Sequence, residues 1–141
     1  MIIVIEGAGG SGKDTVAPLV ADKLSCPVMR FPDRNNTTGK IIDDYLRKRW
    51  DVYYDGVDRE PYVSALTFQA LMCANKMENA FELSLRSGYR DDHIVLVRYT
   101  PSAIVYGSLD GLPEKFLTNI NDALPAADFC FLLDVSVNEC V

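Results

Sequence analysis

The sequence predicts a single α/β domain, a parallel sheet wrapped by helices. Two observations carry that prediction. Short, unbroken apolar runs alternate with longer segments of helical periodicity, and the first run opens directly onto a glycine-rich loop and a helix. A third observation bounds it: 141 residues, at roughly 150 per domain, leave room for one domain covering 1–141.

Ile2 to Ile5 is a continuous β-branched tetrad, the pattern of a strand covered on both faces. From Lys13 to Leu24, Val16, Leu19, Val20 and Leu24 recur at helical spacing, with Pro18 removing one backbone bond. Pro27 to Phe31 reads as a second strand. A helix is expected to begin near Thr38 as N-cap and to carry Ile41, Ile42, Tyr45 and Leu46 on one face. Asp51 to Pro61, acidic and rich in turn formers, reads as a surface loop. One long helix follows, in which Val63, Leu66, Ala70, Leu71, Ala74, Met77, Phe81 and Leu85 keep the period up to Gly88. Ile94 to Val97 is a further buried strand, Glu114 to Ala123 a short helix, and Phe129 to Val135 the last strand.

At 48% apolar and 24% charged residues, the composition excludes disordered, collagen-like and coiled-coil classes. Fourteen basic against twenty acidic residues give a net charge of −6, with no Lys/Arg run. That balance disfavours nucleic acid and anionic membranes as partners and leaves room for a small phosphate ligand held by local donors. Cys26, Cys73, Cys130 and Cys140 form no CxxC pair, and His93 is the one histidine, a poor basis for a zinc site. They read as reduced, buried, small apolar residues. Met1 to Glu6 is too short for a signal or membrane segment, so the expected location is the cytoplasm or, alternatively, the nucleus.

The chemistry is concentrated in Gly7 to Thr15, GAGGSGKDT. Glycines between a strand and a helix let backbone amides converge on phosphate oxygens, the helix N-terminus adds its dipole, and Lys13 adds a point charge. Gly7, Gly12 and Lys13 hold the fixed positions of GxxxxGK, and Gly10 and Ser11 complete the loop. The residue after the lysine is ordinarily Ser or Thr, a magnesium ligand. Here it is Asp14, while the hydroxyl of Thr15 comes one residue late, about 100° further round the helix. A carboxylate at position 14 either binds magnesium directly or repels the phosphates it faces. The plainer reading is that these glycines only make a tight turn.

Five segments, taken in order, resemble the thymidylate kinase family of nucleoside monophosphate kinases. They are IVIEG with its loop, FPDR at Phe31 to Arg34 followed by TTGKIIDDYL, CANKME at Cys73 to Glu78, RYTPSAIVYG at Arg98 to Gly107, and LPAADFCFLLDVS at Leu124 to Ser136. The resemblance implies a three-layer P-loop fold and transfer of the γ-phosphoryl of Mg·ATP to dTMP or a related deoxynucleotide. Lys13 and the loop amides would hold ATP, and Asp14 or Thr15 the Mg2+. Arg34 and Arg98 would grip the acceptor 5′-phosphate with planar guanidinium forks. Read alone, an arginine at a strand end is often only a solvated surface group. Tyr106 matches the tyrosine near the sugar; by itself it reads as core. The resemblance also implies a homodimer or pairing with a related subunit, through the apolar face of the Val63 to Leu85 helix.

The departures from the family pattern fall at the chemistry. Gly9 replaces the acidic residue of the loop, and Val97 replaces the aspartate before the Arg-Tyr pair. In the base site Met72 replaces a stacking phenylalanine, Lys76 a base-binding arginine, and Met77 the tryptophan beside it. Beyond Val141 the family continues with a lid, a fifth strand and a final helix, so the expected fold is a shortened one with an uncovered sheet edge. Two further readings stay beside the kinase: a catalytically impaired domain serving as a dimer or tandem partner, and a kinase for a different small acceptor.

Overall fold

The computed structural model describes residues 1–47, 61–88 and 92–140, with the backbone alone for 61–64 and 87–88. Four parallel strands, β1 (Ile2–Gly7), β2 (Val28–Arg30), β3 (Ile94–Val97) and β4 (Phe129–Leu133), form one sheet in the order β2-β3-β1-β4. Among the described residues, six helices connect or flank them: α1 (Lys13–Leu24), α2 (Thr37–Leu46), α3 (Pro61–Glu78), α4 (Ala80–Gly88), α5 (Thr100–Leu109) and α6 (Glu114–Asn121). The predicted parallel α/β class and its shortened sheet are what the chain adopts.

The apolar runs owe their continuity to cover on both faces. Ile2, Val4, Ile94 and Leu96 point to one side, against Phe31, Leu83, Tyr99 and Leu124, while Ile3, Ile5, Val95 and Val97 point to the other, against Ala17 and Ala21 of α1. Each side chain so buried contributes roughly 1.5–3 kcal/mol relative to exposure. β4 is the outer strand on the β1 side, and Phe129, Phe131 and Leu132 are more than half exposed there.

Several boundaries differ from those expected. Asn36, not Thr38, caps α2, because its Oδ1 accepts the Gly39 amide at 2.9 Å. The expected long helix is two, α3 and α4, divided at Asn79. The Asn79 Nδ2 donates to the Asn75 carbonyl at 3.1 Å and its backbone N–H turns to Lys76, a local competition that ends the regular ladder. The face also changes: Ala65, Gln69, Cys73 and Leu83 are buried, whereas Leu66, Met77, Phe81 and Leu85 are exposed. Helix α5 was not expected, since apolar residues run all round it and leave no period. The loop expected at Asp51 to Pro61 lies outside the described residues except for Pro61, which opens α3.

The cysteines depart from the uniform buried reading. All four are free, but Cys73 alone is buried, Cys26 and Cys140 are half-buried, and Cys130 on the outer strand is exposed.

Candidate active site

Strand β1 delivers the glycine loop to the carboxyl edge of the sheet. Gly12 stands at the N-terminus of α1 with φ +83, a left-handed conformation that disfavours any side chain. It brings no side-chain cap, so the first amides of α1 remain available to a ligand. Gly7, Gly10, Ser11, Gly12, Lys13, Asp14 and Thr15 thus occupy one strand-loop-helix turn, as read from the sequence. Lys13 is folded into the loop, where its Nζ donates to the Ala8 carbonyl and, at 3.1 Å, to Ser11 Oγ. Burial first, and then the neighbouring Arg98 cation, lower its pKa, while Asp14 and Glu6 oppose the shift. A loosely paired cation in such a place gains most from an incoming anion.

Asp14 and Thr15 are both exposed in the first turn of α1. The Asp14 carboxylate accepts from Arg30 Nε at 2.9 Å, a contact between side chains that are 76% and 48% exposed. An exposed pair of this kind is worth at most about 1 kcal/mol and gives way easily to a competing ligand.

A cleft of about 630 Å³ runs past the ends of β2 and β3 and is lined by Asp14, Arg30, Arg34 and Arg98. The structure therefore brings together the two predicted phosphate-binding arginines and adds Arg30, which the sequence reading had passed over. Arg34 stands on the loop after the cis Phe31–Pro32 peptide, and its Nη1 lies 3.3 Å from Asp43 Oδ1. That loop is clamped from α3: the buried Asn75 accepts the Asp33 amide at 2.7 Å through Oδ1, and its Nδ2 donates to the Asp33 carbonyl and to Asn36 Oδ1. A Cβ at Gly39 would stand 1.8 Å from the Asp33 carbonyl oxygen, so α2 can approach the loop this closely only with glycine at that position.

Arg98 follows β3 with φ +63, a conformation that costs a non-glycine residue about 1 kcal/mol or more. The buried Glu6 holds it there. Glu6 Oε1 accepts the Tyr99 amide at 2.8 Å and the Ser102 amide at 3.3 Å, and Oε2 accepts Ser102 Oγ at 2.6 Å. This carboxylate caps α5 from the end of β1, since Tyr99 supplies no side-chain cap of its own. The sequence signal was present, a lone carboxylate closing an apolar strand, but its partners lie in another element.

Arg98 also lines a second, smaller cavity of about 280 Å³, with Phe68, Gln69, Met72, Ser102 and Tyr106 around it. Its guanidinium lies over the Tyr106 ring, 5.4 Å from the centroid, and Nη1 donates to the Tyr106 hydroxyl at 3.3 Å. Tyr106 is 45% exposed at this site, not in the core. Met72 and Tyr106 are thus beside Arg98, as the acceptor-site reading expects. Lys76 is not among the cavity's lining residues: it is fully buried, and its Nζ donates to Asn121 Oδ1 at 3.0 Å. The shorter reach of lysine and the carboxamide on α6 turn it inward.

Among the described residues no helix is long and apolar enough to cross a membrane, and no group of three His, Cys, Asp or Glu side chains is placed to hold a metal. The family model for thymidylate kinase matches residues 5–141. A probable thymidylate kinase of Methanococcus maripaludis is 33% identical over 137 residues, which cover 97% of this chain and 61% of the relative. Another from Pyrobaculum calidifontis is 30% identical over 144 residues, covering 100% of this chain and 67% of the relative. The solved thymidylate kinase of Candida albicans matches with a TM-score of 0.69 at 27% identity, over 99% of this chain and 64% of that one. The chain spans about 61% of the length of the first of these curated relatives.

Proposed function

Because the chain belongs to the thymidylate kinase family, we propose that it is a nucleoside monophosphate kinase of the cytoplasm or nucleus, transferring the γ-phosphoryl of ATP to dTMP. The observation that carries this reading is the position of Arg98, shared by the arginine-lined cleft and the smaller cavity beside it. A nucleoside monophosphate whose phosphate is held by Arg98 and Arg34 would extend its sugar past Tyr106 and its base towards Met72. The loop amides and Lys13 would hold the ATP phosphates alongside.

Phosphoryl transfer asks the protein mainly for alignment and charge stabilisation. An oxygen of the dTMP phosphate forms the new bond to the γ-phosphorus as the bond to the bridging oxygen breaks, and ADP departs with that electron pair. Lys13 and Arg98 flank the two phosphates and offset the charge brought together there. Magnesium needs only one or two protein oxygens besides phosphate and water. The exposed Asp14 carboxylate and Thr15 hydroxyl supply such oxygens, so these residues fit Mg2+ and would hold it. When bound, the ion neutralises charge on the β- and γ-phosphates.

The same reading includes a homodimer or a pairing with a related subunit, supported by Leu66, Met77, Phe81 and Leu85, all exposed on α3 and α4. The decisive experiment is conversion of dTMP to dTDP by the purified chain with Mg·ATP, beside a Lys13→Ala control. Turnover that disappears in the control supports the kinase; no turnover in the wild-type chain overturns it.

A further inference from the structure

Gln69 lies on α3 at the wall of the smaller cavity, 2% exposed, and its Oε1 is the buried side-chain oxygen left without a hydrogen-bond partner among the described residues. A buried carbonyl oxygen with no donor has given up its hydration without return, a cost that a donor from outside the protein would relieve. Around it the cavity is apolar and aromatic, through Phe31, Phe68, Met72 and Tyr99, and Arg98 stands at the junction with the arginine cleft. A flat ring would be enclosed there, with the Gln69 carbonyl on α3 and the Asp110 carboxylate after α5 as acceptors in the wall.

The alternative reader of a base edge on the same helix is withdrawn. Lys76 lies seven positions, about two turns, beyond Gln69 and gives its ammonium to Asn121. Resting on the reading of the cleft and cavity as a site for a deoxynucleoside monophosphate, we propose that Gln69 is the residue that determines base specificity, its Oε1 accepting the N3–H of a thymine or uracil ring. The amide N–H2 of the same side chain is the complementary donor for one of the two ring carbonyls that flank N3. Cytosine, seated in the same way, sets its N3 lone pair against Oε1 and is disfavoured as long as the packed Gln69 amide does not turn over.

Calorimetric titration of the chain with dTMP, dCMP and the N3-methyl derivative of dTMP tests the assignment, with Gln69→Met as a variant of similar volume whose fold is checked by circular dichroism. The wild-type chain is expected to bind dTMP at least tenfold more tightly than either analogue. In Gln69→Met the dTMP affinity falls about tenfold and the preference over dCMP disappears. Equal dTMP affinity in the folded variant overturns the role of Gln69 and leaves the acceptor site standing; failure of the wild-type chain to bind any of the three nucleotides overturns both. Should the variant not fold, the wild-type chain alone decides: equal affinity for dTMP and its N3-methyl derivative overturns the proposal, and a tenfold preference for dTMP over both analogues supports it.

Discussion

Ser102 Oγ donates a 2.6 Å hydrogen bond to Oε2 of Glu6, joining the first turn of α5 to the end of strand β1 across most of the chain. Together with the two amides that Oε1 accepts, this contact ties down the backbone that follows Arg98, whose own conformation is unfavourable. Glu6 thus acts on Arg98 through the backbone that follows it, which bears on where the guanidinium stands.

Replacing Glu6 by Ala strands buried donors that a charged acceptor had satisfied, a loss of about 2 kcal/mol or more in chemical denaturation. Glu6→Gln keeps one carbonyl acceptor and is expected to lose less. A purely structural role predicts lower stability with unchanged kinetics in the surviving folded enzyme. Positioning of Arg98 predicts that KM for dTMP rises in both variants by more than KM for ATP.

The left-handed conformation of Arg98 sets function against stability. Arg98→Gly relieves the backbone while losing the side-chain contacts, so unfolding free energy is expected to change by no more than about 1 kcal/mol. Affinity for dTMP falls at least tenfold in the same protein, as measured by titration. A large loss of stability would show that the Ser102 and Tyr106 contacts matter more to the fold than the strain they oppose.

The loop that carries Arg34 depends on Asn75 and on the bare Cα of Gly39. Asn75→Ala removes a buried amide with several partners and is expected to destabilise by roughly 2–3 kcal/mol, with a drop in melting temperature. Gly39→Ala forces the loop from the helix, and dTMP binding weakens even where the chain stays folded. In both variants the ATP side, built by β1 and α1, is expected to keep its affinity.

Burial lowers the Lys76 pKa from 10.5 to about 8, with Cys73 and Glu6 opposing the shift. Below pH 8 the lysine is charged in both states, and the folded protein bears the full cost, roughly 3 kcal/mol. From about 8 to 10.5 the unfolded chain binds the proton more firmly, so this group makes stability rise with pH. Tyr99, pushed up to about 12 by burial, and the raised Cys73 thiol act oppositely at higher pH, because their unfolded forms ionise first. Urea denaturation of wild-type and Lys76→Met protein between pH 7 and 9 isolates the lysine. The wild-type chain is expected to gain about 1 kcal/mol relative to the variant across that range, and parallel curves would exclude the linkage.

What the sequence determined by itself was local or periodic. The β-branched runs of β1 and β3, the glycine turn with Lys13, and the succession of strands along the chain follow from residue types over a few positions, because a strand covered on both faces must be apolar throughout. The candidate phosphate ligands Arg34 and Arg98 were legible only through a resemblance of whole segments. Helix α5, apolar all round, and the break at Asn79 carried no clear period and were missed or merged.

Tertiary structure alone decided which side chains face a common space. Lys76 and Gln69 lie on one face of the same helix, two turns apart, yet Asn121 takes the lysine ammonium while the Gln69 oxygen is left without a partner at the cavity wall. Glu6 is a polar end to an apolar strand until α5 arrives to be capped, and Arg30 is a surface cation until Asp14 comes within 2.9 Å. The physical reason is the same in each case: a hydrogen bond or an ion pair is a relation between groups far apart in the chain, and only packing brings them within reach.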